Sequence, residues 1–105
     1  MSFDTLEYSL IQDIATVTLN RPEVMNGLNT RMRAELMAVV TQAASEARVL
    51  VMTGAGRAFC SGQELSDRAS VAGLDLERTL REEYEPLLRA IYDCPIPTIA
   101  AVKGP

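Results

Sequence analysis

The chain has 105 residues, 48% hydrophobic and 23% charged, with 10 Lys and Arg against 14 Asp and Glu for a net charge of −4. It is one domain or part of one, too apolar for intrinsic disorder and too acidic to neutralise a nucleic-acid backbone. Histidine is absent, which removes histidine general bases, Ser-His and Cys-His nucleophiles and histidine metal sites in one step.

Chemistry is therefore left to carboxylates, backbone amides and cysteine. Cys60 and Cys94 make no disulfide framework and read as free thiols in a reducing cytoplasm, with no metal site. Met1-Ser2-Phe3-Asp4 lacks the basic and apolar segments of a secretory leader. No apolar run approaches the ~20 residues that span a bilayer. These features predict a cytoplasmic protein without a membrane partner.

Phe3–Leu10 and Asp13–Leu19 read as strands, the second alternating cleanly and rich in β-branched residues. Ser9-Leu10-Ile11-Gln12-Asp13 is the hairpin connection. Pro22 ends the second strand, since it cannot donate to a ladder. Asn29 or Thr30 caps a helix running to about Glu46, with Met32, Leu36, Val39, Val40, Ala43 and Ala47 as its apolar stripe. Arg48–Thr53 is an apolar run without alternation, the pattern of a strand covered on both faces. A glycine-containing loop and a polar stretch to Gly73 follow. A second helix over about Asp75–Tyr92 carries Leu76, Leu80, Tyr84, Leu87, Leu88 and Ile91 on one side, and Pro86 must kink it or start a new one. Glu82, Glu83 and Glu85 read as its wet face. Thr98–Val102 is another buried strand, giving the order β-β-α-β-α-β.

The loop Gly54-Ala55-Gly56-Arg57-Ala58-Phe59-Cys60-Ser61-Gly62-Gln63 follows a strand, where phosphate loops occur. It has no Gly-Lys-Ser/Thr, and Phe59 stands where a dinucleotide fingerprint needs its third glycine. Two readings stay open. Either the loop simply connects strand to helix, or its small residues let a ligand approach main-chain amides that polarise a carbonyl.

Three segments decide between them. Leu19-Asn20-Arg21-Pro22-Glu23-Val24-Met25-Asn26-Gly27-Leu28-Asn29, then Leu50 through Leu65, then Pro97-Thr98-Ile99-Ala100-Ala101-Val102-Lys103-Gly104 span nearly the whole chain. In order and spacing they resemble the N-terminal part of the crotonase superfamily, the enoyl-CoA hydratases and isomerases. Gly62 to Arg68, with Tyr84-Glu85-Pro86-Leu87, is most similar to ring-epoxide isomerases of phenylacetyl-CoA derivatives. The resemblance implies an α/β fold, a crotonase-like spiral of ββα units assembled as trimers or pairs of trimers. Residues 1–105 would be the N-terminal part of one such domain, truncated.

It further implies a coenzyme A thioester substrate, with coenzyme A part of the substrate and no separate cofactor. The substrate carbonyl would sit between two backbone amides, the Gln63 amide being the first. Val24, Met25, Ser61, Gln63, Glu64 and Leu65 match positions that line coenzyme A. Each has a plainer alternative: Val24, Met25 and Leu65 as packing residues, Glu64 as a helix cap or solvated carboxylate, Cys60 as a small packed side chain. Arg57 and Lys103 either meet coenzyme A phosphates or are simply solvated.

Two departures qualify the resemblance. Glu23-Val24-Met25 has no Lys or Arg where many family members do, which leaves one phosphate contact in doubt. The second oxyanion amide and the acid–base carboxylates of the family follow the position of Gly104. A 105-residue chain alone is therefore expected to be nearly inert. The alternative is a noncatalytic acyl-CoA-binding or interaction module ending at Pro105.

Overall fold

The computed structural model describes residues 3–62, 78 and 80–102. Two antiparallel strands, β1 (Leu6–Ile11) and β2 (Ile14–Leu19), open the chain. They are joined by a turn at Gln12 (φ 51°) and Asp13 (φ 69°). Positive φ at both central residues is the mirror-image turn that matches strand twist, here made without a glycine. The first strand starts later than the sequence suggests. The amides of Asp4 and Thr5 go instead to the Glu35 carboxylate, at 2.9 and 2.8 Å.

Helix α1 (Thr30–Glu46) has Asn29 as its cap, whose side chain accepts from the Met32 amide at 2.9 Å. The expected stripe is buried at Met32, Leu36, Val39, Val40 and Ala43. Strand β3 (Val49–Gly54) pairs parallel to β2, and β4 (Thr98–Ala100) pairs parallel to β3. The sheet order is β1-β2-β3-β4, and the elements follow the β-β-α-β-α-β order expected.

Alternation sets which face is covered. Leu6, Ala15, Val17, Leu19 and Leu50 share one face and form the core with the α1 stripe and Leu87. Fully burying an aliphatic side chain of this size contributes roughly 1.5–3 kcal/mol. Both helices pack on that face, so two expectations fail. Val49, Val51 and Thr53 on the opposite face of β3 are only half-buried, and β4 is exposed throughout. A continuous apolar run predicts two-sided burial, but the described residues cover one side.

The second helix is divided at Pro86. A π-type turn over Leu80–Tyr84 leads into α2 (Glu85–Tyr92). Proline lacks the amide hydrogen and crowds the carbonyl four residues earlier, and a wider turn relieves both. Of the expected apolar side, Leu87 is buried and Ile91 half-buried, whereas Leu80 and Leu88 face outward at 50% and 61% exposure. Leu76 lies outside the described residues.

Candidate functional site

Strands β2, β3 and β4 run parallel, so the segments leaving their carboxyl ends emerge on the same side, where open α/β sheets place ligands. The first of these, residues 20–28, contains a one-turn 3-10 helix, Pro22–Val24. Proline suits its start because its φ is preset and its missing amide hydrogen is not needed there. Met25 (φ 53°) and Asn26 (φ 57°) then both adopt the left-handed conformation. For residues with a side chain this costs roughly 1–2 kcal/mol each.

Asn26 offsets that strain. Its side chain is fully buried. Nδ2 donates to the carbonyls of Ala55, Ala58 and Phe59 at 3.0, 2.9 and 3.1 Å, and Oδ1 accepts from the Arg21 amide at 2.7 Å. One carboxamide thus turns three carbonyls of the glycine loop inward. In planar trans peptides the amide after each carbonyl points the opposite way, so the amides of Gly56, Phe59 and Cys60 face away from Asn26.

Further bonds join the two loops: the Ser61 amide donates to the Met25 carbonyl at 3.0 Å and the Leu28 amide to the Gly62 carbonyl at 2.7 Å. Within the first segment, Arg21 Nη1 donates to the Gly27 carbonyl at 2.7 Å. Gly54 is required by close approach. A Cβ there would lie 2.4 Å from the Ala58 oxygen and 2.5 Å from that of Phe59. Gly62 is required by conformation, with φ at +99° and open space where a side chain would go.

Among the expected contact residues, Val24 and Ser61 are exposed and Met25 is half-buried, all at the junction of the two loops. Arg57 is exposed, with Nη2 3.9 Å from Met25 Sδ, so it places a cation beside Glu23-Val24-Met25, which has no Lys or Arg. Gln63, Glu64, Leu65 and Lys103 lie outside the described residues. Cys60 is half-buried against the core, with its Sγ 3.4 Å from the Gly62 amide. Among the described residues no cluster of His, Cys, Asp or Glu could hold a metal ion, and no helix is long and apolar enough to cross a membrane.

Sequence reasoning passed over two residues here. Nothing in the spacing marks Asn26 as buried, although asparagine tolerates the left-handed conformation better than most residues. Arg33 is 2% exposed in α1, and its signal was available, because position 33 precedes Leu36 and Val40 at helical spacing. Its partner Glu83 corrects a second reading. Glu83 is not part of a wet face but is half-buried, accepting from Arg33 Nη2 at 2.7 Å.

A family model described as enoyl-CoA hydratase/isomerase matches residues 10–105. A probable enoyl-CoA hydratase of Rhodobacter capsulatus is 59% identical over 104 residues, covering 99% of this chain and 40% of that protein. A 1,2-epoxyphenylacetyl-CoA isomerase of Escherichia coli K12 is 41% identical over 96 residues, 87% of this chain and 37% of the relative. The crystal structure of an enoyl-CoA hydratase/isomerase from Xanthobacter autotrophicus Py2 superposes with a TM-score of 0.89 at 35% identity, covering 99% of this chain and 40% of that one. The chain therefore spans about two fifths of the length of the relatives it matches, and its fold is a partial copy of the crotonase spiral.

Proposed function

This chain belongs to the enoyl-CoA hydratase/isomerase family, and from that premise we propose that the full-length protein acts on coenzyme A thioesters, hydrating or isomerising them through a stabilised thioester enolate. The reading is supported by the similarity to a probable enoyl-CoA hydratase of Rhodobacter capsulatus and a 1,2-epoxyphenylacetyl-CoA isomerase of Escherichia coli K12, both named for coenzyme A substrates.

The observation that carries it is the pinning of the glycine loop. Asn26 holds the carbonyls of Ala55, Ala58 and Phe59, and Leu28 holds that of Gly62. On this proposal the Gln63 amide donates to the developing oxyanion. Such a donor contributes about 10²–10³ in rate. On the same proposal Val24, Met25, Ser61, Glu64 and Leu65 contact the coenzyme A portion, and Arg57 meets its phosphates. Coenzyme A arrives with the substrate, so the chemistry needs no resident cofactor. A cytoplasmic location and assembly as trimers or hexamers belong to the same reading.

Residues 1–105 on this view supply one oxyanion amide and none of the acid–base groups. Lacking one donor costs ~3–4 kcal/mol, and lacking acid–base help costs a further ~10²–10⁴ in rate. The segment alone then binds thioester and turns it over negligibly.

Thermal melts with coenzyme A, acetyl-CoA, ATP and NAD test the ligand class. A ligand at a hundred times its Kd stabilises by ~2.7 kcal/mol, so coenzyme A and acetyl-CoA should raise Tm while NAD leaves it unchanged. Equal protection by ATP and NAD would favour a nucleotide-phosphate site, and no shift at millimolar coenzyme A would reject the reading. In the full-length protein Gln63→Ala should be mild, because a backbone amide survives it, whereas Gly62→Ala should be severe. Equal damage from the two would refute the amide assignment.

A further inference from the structure

We propose that Arg33 is a positioning residue for the carbonyl-binding loop: from within the fold it sets where Gly62 sits, and through Gly62 the amide that follows. The inference rests on the thioester reading above and deepens it. Arg33 donates from Nε and Nη2 to one oxygen of Glu83, at 3.0 and 2.7 Å, and from Nη2 to Thr30 Oγ1 at 3.1 Å. Its Nη1 donates to the Tyr84 hydroxyl at 2.9 Å and to the Leu28 carbonyl at 3.4 Å. The guanidinium carbon lies 4.5 Å from the centre of the Tyr84 ring, within the range of cation–π attraction.

Leu28 is the link to the site. Its carbonyl meets Arg33, and its own amide donates to the Gly62 carbonyl at 2.7 Å. A single residue thus connects a buried charge to the end of the glycine loop. The guanidinium is planar with donors in a fixed fork, so it specifies the places of Glu83, Tyr84 and Leu28 together. Stability alone does not account for it, since a buried ion pair gains little over well-packed apolar groups. The π-type turn fits this role. Glu83 and Tyr84 are consecutive, yet both reach Arg33, and a wider turn brings successive side chains closer to one face than α spacing does.

The test uses the full-length protein and the variants Arg33→Gln, Arg33→Lys and Tyr84→Phe, read by steady-state kinetics and by amide hydrogen exchange. Arg33→Gln should lower kcat about 10–100-fold, the range expected when a reacting geometry shifts. KM should stay within about twofold, because the donor acts in the transition state. The Leu28 amide should exchange at least about tenfold faster while the Val17 and Leu50 amides do not change. Lysine, a point charge without the fork, should fail to restore kcat. Tyr84→Phe removes one acceptor, keeps the ring, and should move both readouts in the same direction by less, which preserves the test if Arg33→Gln does not fold. Unchanged Leu28 exchange overturns the proposal, and so does a lowered Tm with kcat of the folded protein intact. If the wild-type protein turns over no thioester, the functional reading fails, while Leu28 exchange still decides whether Arg33 holds the loop.

Discussion

Asn26 shows how much one polar side chain can organise when it is buried and fully bonded. Three loop carbonyls converge on its amide nitrogen, and each buried acceptor left without a partner costs about 1–3 kcal/mol. Asn26→Ala should therefore destabilise by at least ~3 kcal/mol in chemical denaturation. Asn26→Asp should be worse, because it sets a carboxylate with no donors against the same oxygens. A loss below ~1 kcal/mol would mean that water replaces the amide.

Glu35 is the matching case for charge. Burial works against its carboxylate, but the Thr5 hydroxyl and the amides of Asp4 and Thr5 donate to it and prevail, holding it below its ordinary value of 4.5. A carboxylate lowered in the fold stabilises fully above 4.5 and loses that contribution as pH falls through its folded value. The stability gap between wild type and Glu35→Gln should accordingly shrink as pH falls below 4.5. An equal gap at neutral pH and in strong acid would show that the bonds do not discriminate between protonation states.

At the scale of elements, α2 separates residues that look alike in sequence. Leu87 and Leu88 are adjacent leucines on an amphipathic pattern, yet one is 4% exposed and the other 61%. Leu87→Ala should cost about 2–4 kcal/mol through lost burial and a cavity, whereas Leu88→Ala should stay within about 0.5 kcal/mol. Comparable losses for the two would mean that the helix is rotated from its described orientation. Pro86 is legible in the sequence as a break and accounts for the wider turn before it, whereas the pairing of Glu83 with Arg33 across the fold is not legible there.

For the whole molecule, the sheet decides behaviour in solution. One face is packed, while the other carries Ile14 at 44% and Ile99 at 52% exposure, the latter on the edge strand β4. Exposed apolar surface beside a strand edge that has no partner among the described residues favours strand addition between copies. Residues 1–105 alone should thus self-associate as concentration rises in sedimentation experiments. Ile99→Lys should reduce this, since a charged edge resists pairing. Monomeric behaviour of the unsubstituted segment at high concentration would count against this.

Sequence alone determined what is local. The cap at Asn29, the α1 stripe, the alternation of β2 and the order of elements depend on neighbours within a few residues, and each appears where its residues place it. The loop motifs were also legible, because close backbone approach at Gly54 and positive φ at Gly62 leave few other residue types. Tertiary structure alone decided the burial of Asn26 and Arg33, the pairing of Glu83 and the open face of β3. Each depends on atoms tens of residues away, and local propensity carries no information about which partner will be there.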